Sequence, residues 1–395
     1  MNLFFFFGGA SVEHEISVIS ACQAMNAANT SKYNVIPVYI AKNRRMYTGE
    51  LLKHTRNYKD MAALYAKCTE VCFTASGASA DMCKVKRSRN GSAAAGKAIC
   101  RVDLAIPVVH GTNCEDGSLM GFFELMGIPY ASCDVLSSAA GMDKEFTKCI
   151  LSAHGIPVVE YYAFRSAKYF EDKESVLDEV EKRIGYPAIV KPANLGSSIG
   201  ISKAKDRQSL ADALDLAATF TSKLLVERAV TELREINCSV LGSADDCICS
   251  VLEEPVMHDE VLSYRDKYMG GAKGSAKSGA KSAAKSAGSK GGMSSLARKV
   301  PADIPEETAE LIRRYAKETF SALGCNGISR IDFLLENGKV FVNEINTIPG
   351  SLSFYLWEAA GVPFDELIDR LVECGINARR ERSKLNFDCG VNVLG

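Results

Sequence analysis

No run of apolar residues in this chain is long enough to cross a bilayer. The N-terminal stretch from Leu3 to Phe7 falls far short of the ~20 residues that a spanning helix needs. No basic segment precedes it, so it reads as a buried first strand and not as an export signal, and the expected location is the cytoplasm. Net charge is lacking as well. Basic side chains number 47 against 48 acidic ones, a formal −1, so no overall field draws the chain to nucleic acid or to a membrane surface. Zinc-type spacing is also missing: the 14 cysteines are scattered, Cys247 and Cys249 are one residue apart, and the five histidines are dispersed. Reduced thiols in a cytosol are therefore expected, not a disulfide framework. What is present is a globular composition, 395 residues with 47% hydrophobic and 24% charged, enough to fill two or three domain cores.

Residues 2 to 40 read strand, glycine turn, helix, strand, with Leu3 to Phe7, Gly8-Gly9, a helical period through Ile16, Ile19 and Ala24, and then Val35 to Ile40. That is the start of a βαβ unit. A further strand, Leu104 to Val109, runs into His110-Gly111, placing a loop at a strand end, where α/β folds bind ligands. Residues 84 to 98 are basic and small and read as a surface loop. A helix from Leu119 to Met126 ends at Gly127, and a domain boundary is expected near residue 135. The strand Ala188 to Lys191 leads to the small-residue turn from Asn194 to Gly200. Residues 270 to 292 contain almost nothing but Gly, Ala, Ser and Lys. A helix would stack Lys273, Lys277, Lys281 and Lys285 on one face, so a loop is expected there, either a plain linker or a cationic flap over phosphates. A helix from Glu310 to Leu323 precedes a hairpin, Ile328 to Leu335 and Val340 to Asn346, around the turn signal Asn337-Gly338.

The hairpin holds the densest chemistry. Arg330 and Asp332 share one strand face, and Glu344 and Asn346 share another. If Asp332 stands opposite Glu344, Arg330 falls opposite Asn346, and one sheet face presents two carboxylates, an amide and a guanidinium. Such oxygen ligands suit magnesium, which fills its remaining positions with water and phosphate oxygens; a solvated polar face is the alternative. A strict two-residue turn would pair Asp332 with Asn343, so the cation reading requires a longer connection or a bulge. Elsewhere, Gly8-Gly9 is followed by Glu13, His14 and Glu15, which would repel a pyrophosphate. Glu13 suits an ammonium group or, equally, a helix-capping role. Lys144 and Lys191 could meet phosphates, with Gly196 to Gly200 offering backbone N–H groups.

These residues resemble the D-alanine:D-alanine ligase family of the ATP-grasp superfamily. The resemblance runs in order through Gly8 to Ser17, His110 to Gly117, Met142-Asp143-Lys144, Lys191-Pro192 with Gly196 to Gly200, Tyr264 to Tyr268, Gly327 to Asp332, and Asn343 to Gly350. It implies an α/β, three-domain ATP-grasp fold with an N-terminal Rossmann-like (pre-ATP-grasp) domain. The implied limits are residues 1–135 for that substrate domain, 136–225 for a central subdomain, and 226–395 for a C-terminal subdomain with a mobile lid over about 260–300. Under it, Lys144, Lys191, Ser198 and Lys267 would serve the phosphates of ATP, Glu227 the adenine edge and Glu235 the ribose. Asp332, Glu344 and Asn346 would hold two Mg2+ ions, with Mn2+ as a substitute. Glu13 would bind the first substrate's ammonium group, His110 would lie beside that substrate, and Arg330 with the Gly350 backbone would stabilise the oxyanion. Tyr268, Ser197 and Glu13 would form a closing network. The implied reaction joins two D-alanines through an acyl phosphate, as a step of peptidoglycan precursor synthesis, in a homodimeric enzyme that binds neither nucleic acid nor membrane.

The chain departs from the family pattern in the low-complexity stretch, at Cys114, where glycine is more usual, and over Ser351 to Tyr355. Ser351, Ser353 and Tyr355 fall where the second substrate's carboxylate would bind. D-serine or another small D-amino acid therefore remains an alternative acceptor, and another ATP-grasp carboxylate–amine ligase an alternative activity. A nucleotide-binding module that has lost its chemistry is disfavoured because Lys191, Arg330, Asp332, Glu344 and Asn346 are all retained.

Overall fold

The structure, a computed structural model, describes residues 1–77, 79–196, 198–255, 298–387 and 390–391. Ser197, Lys267, Tyr268 and the stretch from 270 to 292 lie outside the described residues, so the expectations placed on them stay as stated.

The N-terminal strand, β1 (Asn2–Gly8), is buried over nearly its whole length, as a run of four phenylalanines requires. It pairs in parallel with β2 (Asn34–Ile40). The connecting helix, His14–Ala27, packs Val18, Ala21, Cys22 and Met25 into the same core, which confirms the βαβ reading. The sheet continues through β3 (Met46–Thr48), β4 (Thr69–Ser76), β5 (Ser79–Arg87) and β6 (Ala93–Arg101), while β7 (Leu104–Val109) lies parallel to β1 on its other side. The surface loop expected over 84 to 98 is therefore corrected. Its residues form most of the β5–β6 hairpin, which turns near Ser88 to Gly91. The alternation was hidden because β6 is an edge strand exposed on both faces, so its side chains need no apolar period.

A second sheet has the order β10-β9-β11-β8, from β8 (Tyr161–Arg165), β9 (Ala188–Pro192), β10 (Ser202–Ala204) and β11 (Lys223–Arg228). The third has the order β14-β13-β12-β15-β16, from β12 (Arg234–Ser243), β13 (Cys247–Pro255), β14 (Arg298–Lys299), β15 (Asn326–Glu336) and β16 (Lys339–Asn346). Each sheet has its own hydrophobic cluster. The clusters do not follow the chain strictly. Leu151 and Ile156 join the core of the third sheet, and Leu367, Ile368 and Leu371 of the final helix (Phe364–Ser383) join the core around β1.

Candidate active site

The β15–β16 register decides the geometry. Asp332 stands opposite Glu344 and Arg330 opposite Asn346. The turn is the short one, Asn337-Gly338, with both residues at positive φ, and the register is corrected by a bulge. Phe333 pairs with Val342 and Asp332 with Glu344, leaving Asn343 as the extra residue. Ile331, Phe333 and Val342 point into the core, so the polar set faces the other way. Arg330 grips Asp332 through two bonds, Nε to Oδ1 at 2.6 Å and Nη2 to Oδ2 at 2.7 Å. Asn346 Nδ2 donates to the same Oδ2 at 3.1 Å.

Among the described residues no group of three or more His, Cys, Asp or Glu could hold a metal ion. The set here is smaller: two carboxylates and one amide oxygen. That donor set fits magnesium, which takes few protein ligands and keeps water and phosphate oxygens, and does not fit zinc.

Between the second and third sheets lies a cavity of about 430 Å³. Lys144, Lys191, Ser198, Glu227, Glu235, Asp332 and Glu344 all line it, which brings the ATP-site candidates that fall among the described residues, and two of the three metal-site candidates, into one space. Lys144 begins the helix Lys144–Ala153, which is capped by Asp143, and Asp143 is in turn held by Lys223 Nζ at 2.9 Å. Lys144 Nζ reaches Glu344 Oε2 at 3.1 Å and the carbonyl of Leu195 at 2.8 Å. Lys191 Nζ lies 2.5 Å from Glu227 Oε2 and 3.1 Å from Asn343 Oδ1. Burial opposes the Lys191 charge, yet Glu227, with Glu344 and Glu235 beyond it, holds the ammonium above its ordinary pKa. Burial likewise opposes ionisation of Glu227, and the charges of Lys148 and Lys191 outweigh it, holding the carboxyl well below its usual range.

A smaller pocket, lined by Glu13, Glu115, Lys144, Gly196, Glu344 and Asn346, shares Lys144, Leu195 and Glu344 with the large cavity. Glu13 occupies the N-cap position of its helix, but its side chain makes no capping bond. A Cβ on Gly111 would sit 2.5 Å from Glu13 Oε2, and one on Gly196 would sit 3.0 Å from it. Two loops from different sheets thus close on one carboxylate. Glu115 is buried beside it, accepting from the N–H groups of Gly111 and Ile348 at 2.9 Å each. Burial first, and the charge of Glu13 second, push its carboxyl up to about 8.

His110 is held at both ring nitrogens. Its ring nitrogens meet the Ile348 carbonyl at 2.9 Å and Ser20 Oγ at 3.1 Å, and burial pushes its pKa down to about 4. Ser20 also accepts from the Ser351 N–H at 2.9 Å, so His110 braces the turn that follows Gly350. That turn is unusual: Ser351, Leu352 and Ser353 all adopt positive φ, a costly arrangement for side-chain-bearing residues. Ser351 and Ser353 are buried, and Tyr355 donates to Glu253 at 2.8 Å. Glu253 also binds Asn237 at 3.0 Å and Arg298 at 2.9 Å. The Cys114 thiol is buried and packs against Gly9.

Lys148, Glu115, Asn343, Glu253 and Arg298 were not singled out from the sequence as site residues. Glu115 and Asn343 lie inside the blocks His110 to Gly117 and Asn343 to Gly350, and Lys148 shares a helix face with Lys144 by its four-residue spacing, but none of these signals tells which partner each side chain meets.

A family profile described as "D-ala D-ala ligase N-terminus" matches residues 2–133, and one described as "D-ala D-ala ligase C-terminus" matches 150–290 and 289–373. A D-alanine--D-alanine ligase of Acetivibrio thermocellus is 37% identical over 399 residues, covering 96% of each chain. Among solved structures, the D-alanine-D-alanine ligase from Coxiella burnetii aligns with a TM-score of 0.76 at 27% identity, over 97% of this chain and 96% of that one. VanG D-Ala:D-Ser ligase from Enterococcus faecalis aligns with a TM-score of 0.74 at 29% identity, over 95% of this chain and 99% of that one. With the ATP-grasp fold, the polar hairpin and full-length similarity in agreement, this chain is an enzyme of the D-alanine–D-alanine ligase family.

Proposed function

We propose that this enzyme joins two molecules of D-alanine at the expense of ATP and so supplies the dipeptide used in peptidoglycan precursors. The observation that carries the reading is the register of Asp332 opposite Glu344, with Asn346 and Arg330 beside them, at the wall of a cavity that also holds Lys144 and Lys191. Magnesium held by Asp332, Glu344 and Asn346 would neutralise the charge on the phosphates. Two ions, with Mn2+ able to replace Mg2+, accompany this reading.

A carboxylate is a poor electrophile because oxide is a poor leaving group. Transfer of the terminal phosphoryl group of ATP to one D-alanine carboxylate gives an acyl phosphate and ADP. The free amine of the second D-alanine then attacks the carbonyl carbon, the C–O bond to phosphate breaks, and the amine proton is lost. The protein's share is positioning and charge neutralisation. Lys144 and Lys191, with Ser198, would face phosphates, Glu227 the adenine edge and Glu235 the ribose, while Glu13 would hold the first ammonium. Arg330 and the Gly350 N–H would stabilise the oxyanion, with His110 bracing the turn that carries Gly350. Ser351, Ser353 and Tyr355 would surround the second carboxylate. Ser197, Lys267 and Tyr268 would close the site by the family pattern. A homodimer working in the cytoplasm completes the reading; among the described residues no helix is long and apolar enough to cross a membrane.

Purified protein with ATP, MgCl2 and D-alanine is expected to release phosphate and ADP and to yield D-alanyl-D-alanine by mass. L-alanine should give no turnover, and product from L-alanine alone would overturn the stereochemical reading. A D-alanine plus D-serine arm identifies the acceptor: the mixed dipeptide as the main product would replace D-alanine by D-serine at the second position.

A further inference from the structure

The helix Lys144–Ala153 carries a second lysine that none of the roles above uses. Lys148 lies one turn beyond Lys144 on the same face, and its side chain is only 1% exposed. Its Nζ stands 2.8 Å from Glu227 Oε1, while Glu227 Oε2 stands 2.5 Å from Lys191 Nζ. One buried carboxylate from β11 therefore serves two ammonium groups, one from β9 and one from the helix. The Tyr161 ring lies 5.7 Å from Lys148 Nζ.

As a device for stability this is poor. Despite the short separation, neither Lys148 Nζ nor Glu227 Oε1 has a well-aligned hydrogen bond. Burial, with the neighbouring charges of Lys191 and Lys144, pulls the Lys148 pKa down against the pull of Glu227. Apolar replacement of buried ion pairs is often neutral or stabilising, so packing alone gives no reason for a lysine here. The charge arrangement does. Lys191 and Glu227 alone would form a neutral pair, and a neutral pair has little to offer an anion. With Lys148 on the far oxygen, the three groups together carry one net positive charge. Of these, Lys191 and Glu227 reach the cavity wall and Lys148 does not.

We propose that Lys148 is a positioning residue for the nucleotide: it occupies the rear oxygen of Glu227 and leaves Lys191 with charge to spend on a phosphate. The proposal rests on the nucleotide reading of this cavity.

The test is calorimetric titration of the full-length protein with Mg-ADP, arranged as a double-mutant cycle of Lys148→Met and Glu227→Gln. Lys148→Met is expected to weaken Mg-ADP binding about tenfold or more. In the Glu227→Gln background the same change should alter affinity by less than about threefold, because the carboxylate that Lys148 offsets is gone. In steady-state assays Lys148→Met should raise KM for ATP and leave KM for D-alanine near its original value, and Lys148→Arg should recover most of the loss. A general packing defect would not give that split. Should Lys148→Met fail to fold, the double variant, which loses both buried charges together, is compared with Glu227→Gln alone; a clear loss of affinity there overturns the proposal. So does a folded Lys148→Met variant that binds Mg-ADP like the unaltered protein. An unaltered protein that binds no Mg-ADP would bring down the nucleotide reading itself, a result distinct from either.

Discussion

Gly111 sits so close to Glu13 that its missing side chain is part of the site. A Cβ there would lie 2.5 Å from Glu13 Oε2 and 2.6 Å from Ser11 Oγ, at a φ of +78. Gly111→Ala is expected to lower kcat/KM for D-alanine at least about tenfold while KM for ATP holds, since the carboxylate must move. Unchanged kinetics would remove Glu13 from the substrate's ammonium group. Glu344→Ala should cost at least about a hundredfold in kcat with a melting temperature close to the original, and retained activity would refute its part in holding the metal. Glu115 gives a pH signature. Its folded pKa of about 8 lies above the ordinary carboxyl value, so its contribution to stability is full below about pH 4.3 and is lost as pH rises through 8. Glu115→Gln should therefore flatten the fall in melting temperature between about pH 5 and 8; an unchanged slope would mean that Glu115 is ionised in the fold.

The β15–β16 hairpin works because of its bulge. A regular two-residue hairpin would set Asp332 opposite Asn343, whereas the extra residue sets it opposite Glu344 and frees Asn343 to meet Lys191. Deleting Asn343 would make the ladder regular and keep Asp332 facing Glu344. That variant is expected to fold and to keep its magnesium requirement, with weaker Mg-ADP binding because Lys191 has lost its amide acceptor. A deletion variant indifferent to magnesium in the assay would contradict this ladder. The helix Lys144–Ala153 is the companion element, since its capping by Asp143 and the clamp of Lys223 on that cap fix where both of its lysines point.

Across the whole molecule, the large cavity is formed by residues that no single sheet supplies: Ile189 and Lys191 from the second, Asp332 and Glu344 from the third. A ligand there bridges the two, so it should stabilise the fold by mass action. Mg-ADP at a hundred times its Kd is expected to add about 2.7 kcal/mol, seen as a rise in melting temperature of several degrees. A melting temperature indifferent to Mg-ADP would exclude a nucleotide from the space between the sheets. The first and third sheets are tied differently: the final helix places Leu367, Ile368 and Leu371 in the core around β1, and His110 braces the turn after Gly350.

Local pattern carried much of this protein. The βαβ start, the hairpin with its Asn-Gly turn and the alternation of Arg330, Ile331, Asp332 and Phe333 were legible because side-chain period and turn chemistry are properties of neighbouring residues. The β5–β6 hairpin was not legible, because an exposed, alanine-rich edge strand has no apolar period to read. Nor were Lys148, Glu115 and Glu253, since a buried charge reveals itself only through partners far away in the chain, Glu227 for Lys148 and Ile348 for Glu115. The sequence by itself determined which residues could hold a cation and face phosphates. Only the tertiary structure decided which of them share one cavity, because burial and electrostatic pairing depend on distances that the chain order does not contain.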